Sequence, residues 1–290
     1  LMGQEVDSCT PIPNGTPCDD QNSNTLDDKC DTNGNCVGLV PGKSCKDIQT
    51  VDPTSPDGLY WIDPDEGGSD TPYEVHCDMT TDGGGWTLTT VVSDDGGNIW
   101  TWSNKSLWDL TETTVGDLNV LNKDFKSKSH HSLNFRDLLF IHQPSGVWAS
   151  YHNVGNNTKD LGNFISDVGN SKCWTCTTPD QCGGFPMSAG TLLTGGDLCS
   201  TELYFNGTDH DGQSHCIGGT DAHGPIWSSG AGEGTADGCP FDDPGQSSSL
   251  GPGNNANQSL EHNALGFAKA LGLNTGSPGA AENYMSIFAR

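Results

Sequence analysis

Basic side chains are scarce in this chain: 12 Lys and Arg stand against 38 Asp and Glu, a formal net charge of -26 over 290 residues. Such a surface repels nucleic-acid phosphates and anionic bilayers, so no nucleic-acid partner is expected. Long apolar runs are also missing. None approaches the roughly 20 residues of a membrane-spanning helix, and no membrane insertion is expected. No charged stretch followed by an apolar one opens the chain at Leu1, so a secretory leader, if there was one, is expected to have been removed. The sequence has no GxSxG, no HExxH and no paired CxxC zinc spacing, which removes the commonest hydrolase and zinc-site readings.

What is present points the other way from disorder. Apolar residues make up 32 %, but 39 glycines, 8 Trp and 9 Phe describe a loop-rich fold with enough aromatic mass for a core. The 12 cysteines, an even number scattered through turns, favour disulfides and an oxidising compartment, hence secretion. Sequons at Asn14, Asn104, Asn156, Asn206 and Asn257 agree with a secreted glycoprotein. The excess of carboxylate calls for neutralising cations, and Ca²⁺ is the hard cation suited to clustered carboxylates and backbone carbonyls.

Residues 1–40 read as a separate small module in which Cys9, Cys18, Cys30 and Cys36 close on one another with few aliphatic residues between them. Its Asp20, Asn22 and Asn24 alternate, with Asp27, Asp28 and Asp31 following, like the first half of a calcium loop. The sixth-position glycine and distal Glu of an EF-hand are missing, which leaves a metal site and a solvated, disulfide-pinned loop both open. After the linker "GLVPGKSC" the pattern changes to short alternating strands separated by Pro-Asp-Gly and Gly-Gly turns, over residues 58–63, 73–78 and 86–92.

Cys45-Lys-Asp-Ile, "PDGLYWI", "VHCDM" and "DGGGWT" resemble the opening of fibrinogen-related domains. "FRDLLFIHQPSGVW" (135–148), "SKCW" (171–174), "HCIGG" (215–219) and the terminal "ENYMSIFAR" are similar to elements of the intelectins, or X-type lectins, within that superfamily. The resemblance covers 45–290 and implies an α+β fold of short twisted sheets, extensive loops and several disulfides. It implies pairing of Cys45 with Cys77 and of Cys199 with Cys216. Cys173, Cys176, Cys182 and Cys239 remain a set with three connectivities.

The resemblance also implies calcium sites. "DHDGQSHC" offers Asp209 and Asp211 two residues apart, a bending glycine and the Ser214 to Cys216 backbone, with a distal carboxylate from Glu233, Asp237 or Asp221. The intelectin side chains at these places are not reproduced, so the loop is either rebuilt with other oxygens or purely structural. A second set is Asp94, Asp95 and Gly96 with the more distant Asp137, whose alternative is an ion pair at a strand end. The leading expectation is a secreted Ca²⁺-dependent lectin that binds glycan hydroxyls at an exposed ion, with Trp227, Tyr284, His215 and His223 at the sugar. Core packing is the rival role for Trp227.

An insert at 240–279 carries a helical-looking "SLEHNALGFAKALGL" that would cover, narrow or replace the sugar face. Two further readings stand beside the lectin. One is a calcium-rigidified protein-binding or matrix module; the other is an enzyme using His210, His215 and His223 beside Asp209, Asp211 and Asp221. A homo-oligomer is compatible with all three.

Overall fold

The computed structural model describes residues 9, 13–22, 25–68, 71–97, 99–173, 184–193, 198–205, 216–217, 224–229 and 283–290. The N-terminal part forms a hairpin of β1 (Leu26–Cys30) and β2 (Cys36–Leu39). Two disulfides, Cys9–Cys30 and Cys18–Cys36, pin it. Its buried cluster consists of cysteines, so cross-links do the work that an apolar core does elsewhere.

Helix α1 (Cys45–Val51) follows, opened by Ser44, whose Oγ accepts from the Asp47 N–H at 3.1 Å. Then come β3 (Gly58–Ile62), β4 (Tyr73–Asp78), β5 (Trp86–Ser93), β6 (Phe125–Lys126), α2 (Ser129–Ser132), β7 (Leu138–Gln143), β8 (Trp148–Tyr151) and α3 (Leu161–Ser171). The rest are β9 (Lys172–Cys173), β10 (Ala189–Gly190), β11 (Leu198–Phe205), β12 (Cys216–Ile217), β13 (Pro225–Ser229) and β14 (Tyr284–Ala289). Among the described residues the protein is therefore sheet-rich with few, short helices.

The main sheet has eight strands in the order β10-β8-β7-β14-β5-β4-β3, with β6 paired to β5 off that path. The last strand of the chain lies at the centre, antiparallel to β5 on one side and β7 on the other. Every residue of β5, WTLTTVVS, is buried, because the strand has neighbours on both edges and packing on both faces. Its three threonines are each satisfied: Thr87 Oγ1 accepts from the Cys45 N–H, Thr89 Oγ1 donates to the Ile287 carbonyl, and Thr90 Oγ1 bonds His130 Nδ1. The larger core gathers Trp100, Trp108, Phe135, Phe140, Tyr151 and Trp227 among others, and a second cluster is built on Trp86, Leu88, Val91, Phe125 and Phe288.

The β4–β5 connection shows why "DGGGW" is glycine-rich. Gly84 has φ +66, and a Cβ there would lie 2.0 Å from the Met79 carbonyl oxygen. A disulfide joins Cys45 to Cys77 and fastens α1 to β4. Two further antiparallel pairs, β11 with β13 and β12 with β9, complete the described strands.

Candidate functional site

One set of described carboxylates comes together as a cation ligand set would. Asp19, Asp20 and Asp28, in the disulfide-pinned hairpin, each offer an oxygen within 4.8 Å of the others. Three local bonds hold them: Asp28 Oδ2 accepts from the Asp20 N–H at 2.9 Å, Asp20 Oδ1 from the Asn22 N–H at 2.9 Å, and Asp19 Oδ1 from the Gln21 N–H at 2.7 Å. The Asn22 N–H, then the Thr25 hydroxyl, hold the Asp20 carboxyl below its usual range, so it stays ionised. Asp28 Oδ1 is enclosed and has no hydrogen-bond partner. Three carboxylates that offer hard oxygens, one of those oxygens unsatisfied, fit Ca²⁺ in their chemistry. Asp20 and Asp28 belong to the sequence pattern, whereas Asp19 does not. Asp27 pairs with Lys29, Asp31 accepts from the N–H groups of Asn33 and Asn35, and Asn24 lies outside the described residues.

The set expected around Asp94 does not form. Asp94 and Asp137 lie at opposite ends of β14, a six-residue strand: Ser93 stands opposite Tyr284, and Leu138 opposite Ala289. At roughly 3.3 Å per residue the two ends are about 20 Å apart, too far to share an ion. Each carboxylate is occupied where it stands. Asp94 accepts from the backbone and side-chain N–H groups of Asn283 at 3.2 Å each, clamping the start of β14. Asp95 accepts from the Gly97 N–H at 2.7 Å and the Asp124 N–H at 3.2 Å, which closes the turn containing Gly96. Asp137 pairs with Arg290 at 3.1 Å, not with its neighbour Arg136, and also accepts from the Asn153 N–H at 3.0 Å. The strand-end ion pair, the alternative to a metal ligand, is what forms at Asp137.

Trp227 is another correction. The ring expected against a sugar is 0 % exposed, edge-on to Phe140 with centroids 5.0 Å apart, and its Nε1–H donates to Tyr151 Oη at 2.8 Å. Tyr151 Oη in turn donates to the Thr201 carbonyl. β13 faces its partner β11 here, so the ring joins the core and has no face left for a ligand. Tyr284 is half-buried at the start of β14 and lines a cavity.

Asp209, His210, Asp211, Ser214, His215, Asp221, His223, Glu233 and Asp237 lie outside the described residues, as do Cys176, Cys182, Cys239 and the insert 240–279. The strands around them are described. β11 ends at Phe205, β12 begins at Cys216, and β13 begins at Pro225. The register of β12 sets Cys216 opposite Cys173, while Cys199 lies in β11.

His152 lies beside a serine and a carboxylate without activating the serine. His152 Nε2 and Ser150 Oγ both bond the same oxygen, Asp82 Oδ2, at 2.8 and 2.7 Å. The serine therefore donates to the carboxylate and not to the imidazole, the reverse of an activated nucleophile. Burial works to raise the Asp82 pKa, but the bonds from Ser150 and His152 and the nearby Arg290 charge outweigh it and hold it down. Arg290 stacks 3.9 Å over Trp86 and donates to the carbonyls of Asp82 and Gly84 at 3.0 Å each. The network ties the last residue to the β4–β5 turn.

Among known proteins, the family model of the fibrillar collagen C-terminal domain matches residues 33–145. The fibrinogen-like globe domain of human ANGPTL6 is similar at 18 % identity, covering 39 % of this chain and 49 % of that one, with a TM-score of 0.28. This chain thus spans about half of that domain. The fibrinogen-like globe domain of human ANGPTL2 is similar at 13 % identity, covering 86 % of this chain and 99 % of that one, with a TM-score of 0.34. Neither likeness carries a ligand or a partner across to this chain.

Proposed function

We propose that this protein is an extracellular, disulfide-stabilised recognition module, of the fibrinogen-related α+β type, that holds calcium and binds glycans without catalysing a reaction. Three disulfides among the described residues suit an oxidising compartment, and no described helix is long and apolar enough to cross a membrane. The reading is carried by the segment 206–215. In sequence it lies between β11 and β12 and contains Asp209, Asp211, Ser214 and His215 ahead of Cys216. Closely spaced carboxylates, a glycine and a strand-anchored end are what a Ca²⁺ loop requires, and an ion with open positions exchanges water for vicinal hydroxyls. Glu233 or Asp237 would supply the distal oxygen, with His223 and Tyr284 beside the sugar. Residues 1–40 form a second, structural calcium module in this proposal, held by Asp19, Asp20 and Asp28.

A glycan array run with calcium, with EDTA and with Asp211→Ala tests the reading. Binding lost in both EDTA and the variant is the expected outcome; binding retained by the variant places the functional ion elsewhere. The enclosure of Trp227 favours a second reading, a protein-binding or matrix module in which calcium lends rigidity. An array without hits, together with a calcium-raised melting temperature, selects that reading.

A further inference from the structure

On the sheet face that carries Trp86 and Phe288 there is a cavity of about 250 Å³. Its wall is set by strand register: Tyr284 stands opposite Gln143 and Ser286 opposite Ile141, so alternate residues of β14 and β7 point the same way. Phe288, two residues beyond Ser286, and Leu121 add apolar wall. β4 contributes His76 and Asp78, and Asp57 stands at the exposed rim.

The chemistry of this space is one-sided. Asp78 is 8 % exposed; its Oδ1 accepts from the N–H groups of Thr80 and Thr81 at 3.0 and 2.7 Å, and among the described residues its Oδ2 has no hydrogen-bond partner. Asp57 is held in the same way, accepting from the Met79 N–H at 2.6 Å and the Thr80 hydroxyl at 3.1 Å. No Lys or Arg lines the cavity, and neither aspartate takes part in an ion pair among the described residues. Burial pushes the His76 imidazole down, against the pull of Asp57 and Asp78, so the ring is neutral near pH 7 and offers no competing charge. Ser286, 7 % exposed, and Gln143 likewise have no described side-chain partner. The Asp78 carboxylate thus meets the cavity with one oxygen open and no counter-charge among the described residues, so an entering cation finds an acceptor already held in place by the Thr80 and Thr81 N–H groups.

Asp57, His76 and Asp78 are not among the described sets whose ligand atoms converge within 4.8 Å. Acceptors spread over several ångströms and bounded by the rings of Tyr284 and Phe288 suit a flat, delocalised cation that stacks while it donates in several directions. The geometry points to this cavity as a binding site for a guanidinium group carried on a short apolar stem, presented either as a free small guanidine or as an arginine side chain of a partner protein. The assignment does not rest on the proposed calcium loops, although Tyr284 is common to this cavity and to the proposed sugar site.

The test is isothermal titration of the full chain in EDTA with n-butylguanidinium, with a blocked Gly-Arg-Gly peptide, and with n-butylurea as the uncharged isostere. Saturable binding of n-butylguanidinium and none of the urea is expected. A tighter peptide identifies a partner's arginine as the source; binding of the small guanidine without the peptide identifies a free ligand. Asp78→Asn keeps an acceptor for the Thr80 and Thr81 N–H groups and should weaken binding by about tenfold or more. Gln143→Lys places a tethered cation at the mouth and should abolish binding, which provides a second variant where the first fails to fold. Equal binding of the urea, no binding of either guanidine by the folded protein, or unchanged affinity in both folded variants overturns the assignment. Titration in EDTA keeps these outcomes apart from calcium-dependent glycan binding.

Discussion

Two buried side chains show how single residues carry the fold's constraints. Trp227 fills core space between Phe140 and Tyr151 and satisfies its one donor there, so Trp227→Ala should cost about 3–5 kcal/mol in chemical denaturation. If a glycan is bound, Trp227→Phe should leave its affinity unchanged, because the ring touches no ligand. His142 is fully buried on β7; its Nδ1 bonds Ser145 Oγ and its Nε2 has no partner. Burial pushes this imidazole down from 6.5 to about 4, against the pull of Asp94. The folded state therefore disfavours the proton that the unfolded chain accepts. The stability associated with the neutral ring is fully present above about pH 6.5 and is lost as pH falls toward 4, a loss of about 3 kcal/mol. His130, lowered chiefly by burial, adds a change of the same sign. Urea unfolding of His142→Gln between pH 7 and 4 should show a shallower fall than the native chain; parallel curves would contradict the assignment.

At the scale of elements, the Cys45–Cys77 bridge closes a loop with a sequence separation of 32 and fixes α1 against β4. Replacing both cysteines by serine should lower the unfolding free energy by about 4 kcal/mol, read from denaturant midpoints. The strands were legible wherever alternation met a turn signal: the span 73–78 matches β4, and 58–63 and 86–92 differ from β3 and β5 by one residue at an end. The central position of β14 was not legible, since its neighbours β5 and β7 are distant in sequence and pairing across such a separation leaves no local trace. The same blindness misplaced Asp137. A carboxylate inside "FRDLLFI" announces a buried charge but not its partner, and Arg290 lies 153 residues away. The cavity is not legible for the opposite reason. Its residues are individually ordinary, and only the register of β14 against β7 sets Tyr284, Ser286, Gln143 and Ile141 on one face. Asp19 is not legible because it stands outside the alternating spacing of Asp20, Asn22 and Asn24.

For the whole molecule, a net charge of -26 makes the compact state sensitive to cations. Millimolar calcium should raise the melting temperature, and Asp28→Asn should remove part of that rise while leaving glycan recognition intact; a full rise in the variant would remove calcium from the hairpin. The proposed division of labour gives the disulfide-pinned N-terminal hairpin one ion for rigidity and the segment 206–215 another for ligand. The most direct measurement is retention of an array-identified glycan by the native chain as free calcium is stepped from EDTA-clean to millimolar. The account predicts a saturable rise from no retention, absent from Asp211→Ala. Retention that is flat across the series would contradict it.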